Sequence, residues 1–187
     1  MREVTASVLW RRLDNPGHDA CWLVETGDGF AIEGGAVFGD GVVPARLNYR
    51  VACDGAWRSL RGEVSGWLGA RSVNYAVTRS SEGVWSFNGA AVPGLQDCVD
   101  LDFGFTPATN LLQLRRIDLA IGAAADVPVA WLDVSAGTLE YLAQRYERRA
   151  ESTYFYEAPR FEYVDLLEVL PSGFARRYPG LWESESD

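Results

Sequence analysis

Two aspartates stand two residues apart in the segment DCVDLDFGF, whose alternating apolar residues predict a β-strand. On a strand, Asp100 and Asp102 would point to the same face, roughly 7 Å apart. Carboxylates at such a spacing could hydrolyse a glycosidic bond or hold a hard cation. No glycosidase or metal-binding motif surrounds the pair. We therefore interpret it as the polar face of a half-buried strand, with its charge balanced by Arg115 and Arg116.

The two arginines stand where the chain leaves a predicted helix for a predicted strand over residues 117–121. Neighbours on a strand point to opposite faces, so one guanidinium would be directed inward. A buried guanidinium needs a carboxylate or an anionic ligand as its partner. Arg115 and Arg116 are therefore predicted to bind the head group of a ligand, with Asp100 and Asp102 as their partners when no ligand is bound.

The single histidine, His18, precedes Asp19 in the segment PGHDA. Pro-Gly predicts a turn, and we expect His18 and Asp19 to fix this loop through hydrogen bonds. A catalytic triad would need a nucleophile, and no GxSxG motif is present. One histidine also disfavours a typical zinc site. With no nucleotide-binding motif either, the sequence predicts no catalytic residue, no metal and no cofactor.

Aromatic residues make up 12% of the chain and include seven tryptophans. Aromatic faces stack on sugar rings and also line lipid cavities. Most of these side chains are expected in the core. Trp85 and Trp182 lie beside predicted turns, so they are the candidates for the rim of a ligand site.

The fold class is predicted from alternation and turn signals along the whole chain. Period-2 runs, broken by Asp54-Gly55 and Asn88-Gly89, indicate an antiparallel meander of about a dozen strands. So many strands should form a strongly curved sheet or an incomplete β-barrel. One short central helix is predicted over residues 108–114, with its leucines covering the open concave face. Residues 138–150 fit both periods and are interpreted as strands because the next segment is β-rich.

Length and composition limit the classes of function. The chain has 187 residues, which fits one domain over residues 1–187. A net charge of −9 disfavours nucleic acid and anionic membranes as partners. No apolar segment is long enough for stable membrane insertion. The three cysteines, Cys21, Cys53 and Cys98, show no disulfide or zinc spacing, which predicts buried free thiols in a soluble, cytoplasmic protein.

Four segments of the chain carry a resemblance: VLWRRLDNPGHDA, LNYRVACDGAWRS, CVDLDFGFTPATNLLQLRRIDL and RRYPGLW. In this order they resemble the bacterial "putative glycolipid-binding" family, formerly a domain of unknown function, nearly from end to end. The resemblance implies a strongly curved sheet or incomplete barrel around a helix, similar to the carriers that shuttle bacterial lipoproteins. The chain departs from the family pattern at Gln113, where the pattern has a proline.

Residues and resemblance together favour a non-catalytic binding or carrier protein for a glycolipid-like amphiphile. Its apolar tail would lie in a β-barrel cavity and its polar head near the arginines. The alternative is a hydrolase that acts on a glycoside or ester through Asp100 and Asp102 or through His18. A third hypothesis is a structural or partner-binding β-domain with a packed interior. The lack of a catalytic motif disfavours the enzyme.

Overall fold

Seventeen strands form two sheets within residues 2–41 and 43–185, the part of the chain that the computed structural model describes. The strands before the helix are β1 (Glu3–Arg12), β2 (Gly17–Thr26), β3 (Gly29–Asp40), β4 (Val43–Asp54), β5 (Ser59–Leu68), β6 (Arg71–Arg79), β7 (Trp85–Phe87), β8 (Ala90–Ala91) and β9 (Asp100–Phe103). Helix α1 (Asn110–Ile117) follows. The strands after it are β10 (Ala124–Asp126), β11 (Val129–Asp133), β12 (Thr138–Leu142), β13 (Arg145–Ala150), β14 (Thr153–Ala158), β15 (Tyr163–Val169), β16 (Ala175–Tyr178) and β17 (Trp182–Ser184).

Fourteen of these strands form one strongly curved antiparallel sheet, which confirms the predicted fold class. Its order is β10-β13-β14-β15-β16-β17-β1-β2-β3-β4-β5-β6-β7-β8, so β8 and β10 are its edges and it does not close into a barrel. The predicted hairpin at Asn88-Gly89 joins β7 to β8, and both residues have the positive φ that a tight hairpin turn requires. Residues 138–150 form β12 and β13, as predicted.

The second sheet, in the order β12-β11-β9, corrects the prediction of a single meander. Strand β9 pairs in parallel with β11, and α1 lies in the connection between them. All four residues of β9 are buried, as is common for parallel strands that are covered on both faces. Asp100 and Asp102 are therefore interior residues, and their prediction as the polar face of a half-buried strand is wrong.

Helix α1 fills the concave face of the large sheet. Leu111, Leu112 and Leu114 are buried as predicted, and so are Asn110 and Gln113. The helix therefore contacts protein on nearly all of its sides. Leu111 and Leu112 belong to one apolar cluster, together with Trp10 and Phe103, whereas Leu114 belongs to a second one around Tyr146 and Tyr156.

The helix ends three residues later than predicted, so Arg115 and Arg116 form its last turn. Cationic side chains are favourable there because they face the negative end of the helix dipole. Asp118 then adopts a left-handed conformation, and its backbone N–H donates to the Leu114 carbonyl. The strand predicted over residues 117–121 is absent, since the helix extends to residue 117, residues 118–120 are irregular and a turn follows at 121–122.

Two further predictions concerned free cysteines and the lack of a membrane-inserted segment. Cys21, Cys53 and Cys98 are buried free thiols, which confirms the predicted lack of a disulfide. Among the described residues, no helix is both long and apolar enough to cross a bilayer.

His18 and Asp19 do not lie in the predicted loop, because both are on β2, where they point to opposite faces of the sheet. The exposed His18 places its Nε2 3.2 Å from Glu185 Oε2. Asp19 is 1% exposed and points inward. Its carboxylate accepts hydrogen bonds from the Tyr49 hydroxyl at 2.9 and 3.1 Å and from the Thr106 hydroxyl. Asp19 thus ties β2 and β4 to the segment that precedes α1.

Asp19 should make the stability of the protein depend on pH. Burial raises the pKa of its carboxyl to about 6, although the hydrogen bonds from Thr106 and Tyr49 oppose the rise. The unfolded chain releases this proton near the ordinary value of 3.8, so the folded state binds more protons between these two values. The stabilising contribution of the protonated group is complete below pH ~4 and is lost as the pH rises through ~6, by roughly 3 kcal/mol.

The Asp19→Asn variant removes this titration while keeping the size of the side chain. The measurement is the free energy of unfolding in urea for both proteins. Relative to the unmodified protein, the variant should become more stable as the pH rises from 4 to 7, because only the unmodified protein loses the contribution of the protonated Asp19. Glu82→Gln, at an exposed carboxylate, is the control and should leave the pH dependence unchanged. Parallel pH curves for the unmodified protein and Asp19→Asn would show that the buried carboxylate is not the cause.

Candidate functional site

A pocket of about 330 Å³ lies between α1 and the strands β14 to β17. Its wall is mainly aromatic, and the rings are those of Phe103, Trp131, Tyr156, Phe161, Tyr163, Tyr178 and Trp182. We call this space the aromatic pocket. Most of these side chains come from the alternating segment YFYEAPRFEY and from residues near the C-terminus, so the large sheet must curve fully before they meet.

Local backbone geometry holds the wall in place. A Cβ atom at position 104 would lie 2.6 Å from Trp131 Nε1, so only glycine lets this indole form part of the wall. The 3-10 helix Pro159–Phe161 carries Phe161 to the indole, with ring centroids 5.2 Å apart. Opposite, the Tyr163 ring packs against Tyr178 at 5.2 Å, and its hydroxyl donates to a backbone carbonyl.

The floor of the aromatic pocket is polar. Asp102, Thr106 and Asn110 line it and are buried, between 4% and 7% exposed. Asp102 accepts two hydrogen bonds of 2.6 Å, from Thr109 Oγ1 and from Gln144 Nε2. Burial raises the pKa of the Asp102 carboxyl, against the effect of these two hydrogen bonds. A largely apolar pocket with a few convergent polar groups is the usual composition of a small-molecule site.

A network behind the floor orients its polar groups. Asn110 Nδ2 donates to the Tyr146 hydroxyl at 2.8 Å, and that hydroxyl donates to Gln113 Oε1 at 3.0 Å. The hydroxyl also lies 3.4 Å from Gln144 Oε1, which links this chain of contacts to Asp102. Gln113 is thus part of the support of the floor.

Two arginines pack against the wall from outside. Arg160 lies with its Cζ 4.8 Å from the Trp131 ring centroid and pairs with Glu140 at 2.7 Å. Arg12 lies with its Cζ 5.4 Å from the Trp182 ring centroid. Neither arginine was predicted as a site residue, although Arg160 lies within the aromatic segment that supplies part of the wall.

Arg116 is held away from the aromatic pocket by Asp100. Its Nε and Nη2 reach the Asp100 carboxylate at 2.7 to 2.9 Å. Asp100 is fully buried, whereas the arginine side chain is 24% exposed. Burial raises the pKa of the Asp100 carboxyl, and the guanidinium opposes this. The pair therefore joins β9 to the last turn of α1.

Arg115 opens instead onto a larger cavity of about 690 Å³ at the C-terminal end of α1. The cavity is lined by charges of both signs, namely Arg115, Arg148, Arg176, Asp118, Glu151 and Glu168. The guanidinium of Arg115 donates to the Ser172 carbonyl at 2.6 Å. Six charged side chains of both signs make this cavity a poorer site for an apolar or aromatic-stacking ligand than the aromatic pocket, despite its size.

The predicted site residues are therefore distributed over several places. Asp102 and Trp182 both line the aromatic pocket. Trp85 lies outside the aromatic pocket: it is 1% exposed, its indole donates to the Cys98 carbonyl at 3.0 Å, and it borders a separate cavity of about 380 Å³. Asn110, Trp131 and the tyrosines were missed, although the clustered aromatics of residues 154–163 were a signal.

The residues considered for hydrolysis do not share a site. His18 faces Glu185 on the outside of the sheet, and Asp100 and Asp102 are engaged by different partners. Across residues 2–41 and 43–185, no group of three or more histidine, cysteine or acidic side chains is arranged to hold a metal ion.

A strongly curved antiparallel sheet around one helix, with an aromatic pocket between them, defines a mainly β protein with a ligand-sized site. Residues 7–184 match the family described as "Putative glycolipid-binding", and the chain belongs to this family, as its sequence motifs predicted. A crystal structure of a DUF1089 family protein from Pseudomonas aeruginosa is similar, with a TM-score of 0.79. The match covers 89% of this chain and 91% of that one at 24% identity, which shows the fold alone. No curated protein matches significantly.

Substitutions of Arg115 and Arg116 should lower the free energy of unfolding by different amounts. Arg116→Ala leaves the fully buried Asp100 carboxylate without its cation, and we expect a loss of roughly 3–5 kcal/mol in the free energy of unfolding. Arg115→Ala removes an exposed side chain and should cost under ~1 kcal/mol. Urea unfolding of both variants measures the difference.

The double variant Arg116→Ala/Asp100→Asn is the control for this explanation. It should recover much of the loss, because the remaining polar group no longer carries a charge. Two equally mild single variants would mean that the ion pair does not hold β9 to α1.

Proposed function

We propose that the protein binds a glycolipid-like amphiphile in the aromatic pocket and carries it without chemical change. The observation that carries this proposal is a pocket that has aromatic walls and a polar floor. The description of the family supports the same class of ligand. Aromatic walls supply apolar contact area, and the buried polar groups supply orientation.

We therefore propose positions for the two ends of the ligand that differ from those expected from the sequence. The concave face of the sheet is occupied by α1 and the three-stranded sheet, so a whole tail in a barrel cavity is not accommodated. The pocket of about 330 Å³ is near the lower end of the range of roughly 300–1,000 Å³ for small-molecule sites. It fits one end of an amphiphile. The arginines nearest to it are Arg12 and Arg160, in place of Arg115 and Arg116.

The hydrogen bonds and the ion pair that Asp100 and Asp102 form within the protein support ligand binding over hydrolysis. The Asp102 carboxylate is held by Thr109 and Gln144, and Asp100 by Arg116. A general acid and base would need to face the same bound substrate. The three unpaired buried thiols support a cytoplasmic location for such a carrier.

The Phe161→Ala variant tests the site. Phe161 lines the aromatic pocket, but it is 50% exposed, so its loss should change stability little. We expect n-octyl β-D-glucoside, titrated as a monomer by calorimetry, to bind this variant about 3- to 10-fold more weakly, since one aromatic contact is lost.

Trp22→Ala is the matched control, because Trp22 is a similarly exposed aromatic side chain outside the pocket. It should bind the glucoside like the unmodified protein. Equal affinity of all three proteins would place the ligand elsewhere, and no heat of binding with the unmodified protein would contradict the proposed function itself.

A further inference from the structure

We propose, on the basis of the function proposed above, that the aromatic pocket takes a neutral sugar ring and not the hydrocarbon tail. The group that recognises the ring is the side-chain oxygen of Asn110. This orientation is the reverse of the one expected from the sequence, in which the tail was internal.

Asn110 presents an unused acceptor to the pocket. The residue is 4% exposed and lines the pocket as the first residue of α1. Its Nδ2 is committed to the Tyr146 hydroxyl, whose own hydrogen points to Gln113 Oε1. In this arrangement the Asn110 amide nitrogen is occupied, and Gln113 Nε2 is left buried without a partner among the described residues. Within the described part of the chain, Asn110 Oδ1 accepts no hydrogen bond, and it is not one of the unpartnered atoms sealed from solvent.

The adjacent carboxylate of Asp102 adds further acceptor capacity. Its two oxygens accept hydrogen bonds from Thr109, Gln144 and the backbone of Phe103, so of about four acceptor positions on the carboxylate one remains. The hydroxyl of Thr106, by contrast, is occupied by Asp19 and by the backbone of Ala108. The floor of the pocket therefore offers acceptors, and a complementary ligand must bring donors.

Acceptors at the floor select among the parts of an amphiphile. A hydrocarbon tail would leave Asn110 Oδ1 buried without a partner, which is unfavourable. A phosphate has few hydrogens to donate, and its charge would face the Asp102 carboxyl. A neutral sugar ring has hydroxyl groups that donate, and its apolar C–H face can lie against Trp131 or Trp182. Its size also suits a pocket of about 330 Å³.

Three ligands that share an octyl chain separate the alternatives with the unmodified protein. They are n-octyl β-D-glucoside, 2-(octyloxy)tetrahydropyran, which has the ring without its hydroxyls, and n-octanol. We expect calorimetry to show the glucoside bound at least about tenfold more tightly than the other two, because only its hydroxyls can reach the floor. Equal affinity for the glucoside and the tetrahydropyran would overturn this inference but leave the proposed function standing. Binding of none of the three would contradict the proposed function.

The Asn110→Leu variant tests the residue itself. It should weaken binding of the glucoside about tenfold and leave that of the tetrahydropyran ether unchanged, so the ether reports that the pocket is intact. Tyr146→Phe is the matched control, because it removes the partner of Asn110 Nδ2 but keeps Oδ1 in place, and a smaller loss is expected. An unchanged affinity of Asn110→Leu for the glucoside would exclude Asn110. If this variant does not fold, the ligand series on the unmodified protein decides.

Discussion

The structure depends on how β9 is held inside the curved sheet. This strand carries two acidic side chains into the interior, where an unpaired carboxylate would be strongly unfavourable. Asp100 forms an ion pair with Arg116 at the end of α1. Asp102 accepts a hydrogen bond from Thr109, just before the helix begins. Both carboxylates thus bind the same helix, one at each of its ends. The position of α1 relative to β9 follows from these two contacts.

The position of α1 in turn determines the pocket. An open sheet of fourteen strands has a large concave apolar face, and the unit β9-α1-β11 fills it. The aromatic pocket is the space that remains between this unit and the strands β14 to β17. Its floor is built from residues of β9 and α1, including Asp102 and Asn110, so the contacts that hold the fold together also shape the site. A ligand that binds there would contact β9 and α1, which pack against the concave face of the large sheet.

Local signals in the sequence were sufficient for the strands of the large sheet. In β4, the alternation of Leu47, Tyr49 and Val51 with polar neighbours matches the alternation of buried and exposed residues. The end of α1 was harder to predict, because LLQLRRIDL fits a helix and a strand equally well until its tertiary contacts are known. For Asp19, the turn signal of Pro-Gly concealed the start of β2, which carries its side chain into the core.

The candidate site was predicted only in part, for a different physical reason. Asp102 and Trp182 were singled out by residue type. They are 80 residues apart in the chain and meet only because the large sheet curves around the helix. Trp131, Tyr156 and Asn110 have no mutual spacing in sequence that marks them as neighbours. Arg115 and Arg116 attracted attention as a charged pair, but a helical turn directs them to different surroundings, one to Asp100 and one to a separate cavity.

The most direct test of the account is a crystal structure of the protein soaked with n-octyl β-D-glucoside. We expect electron density for the ligand inside the aromatic pocket, enclosed by Trp131 and Trp182, with the sugar ring at the floor formed by Asp102 and Asn110. Density confined to the cavity of about 690 Å³ at the C-terminal end of α1, with the aromatic pocket empty, would contradict this expectation.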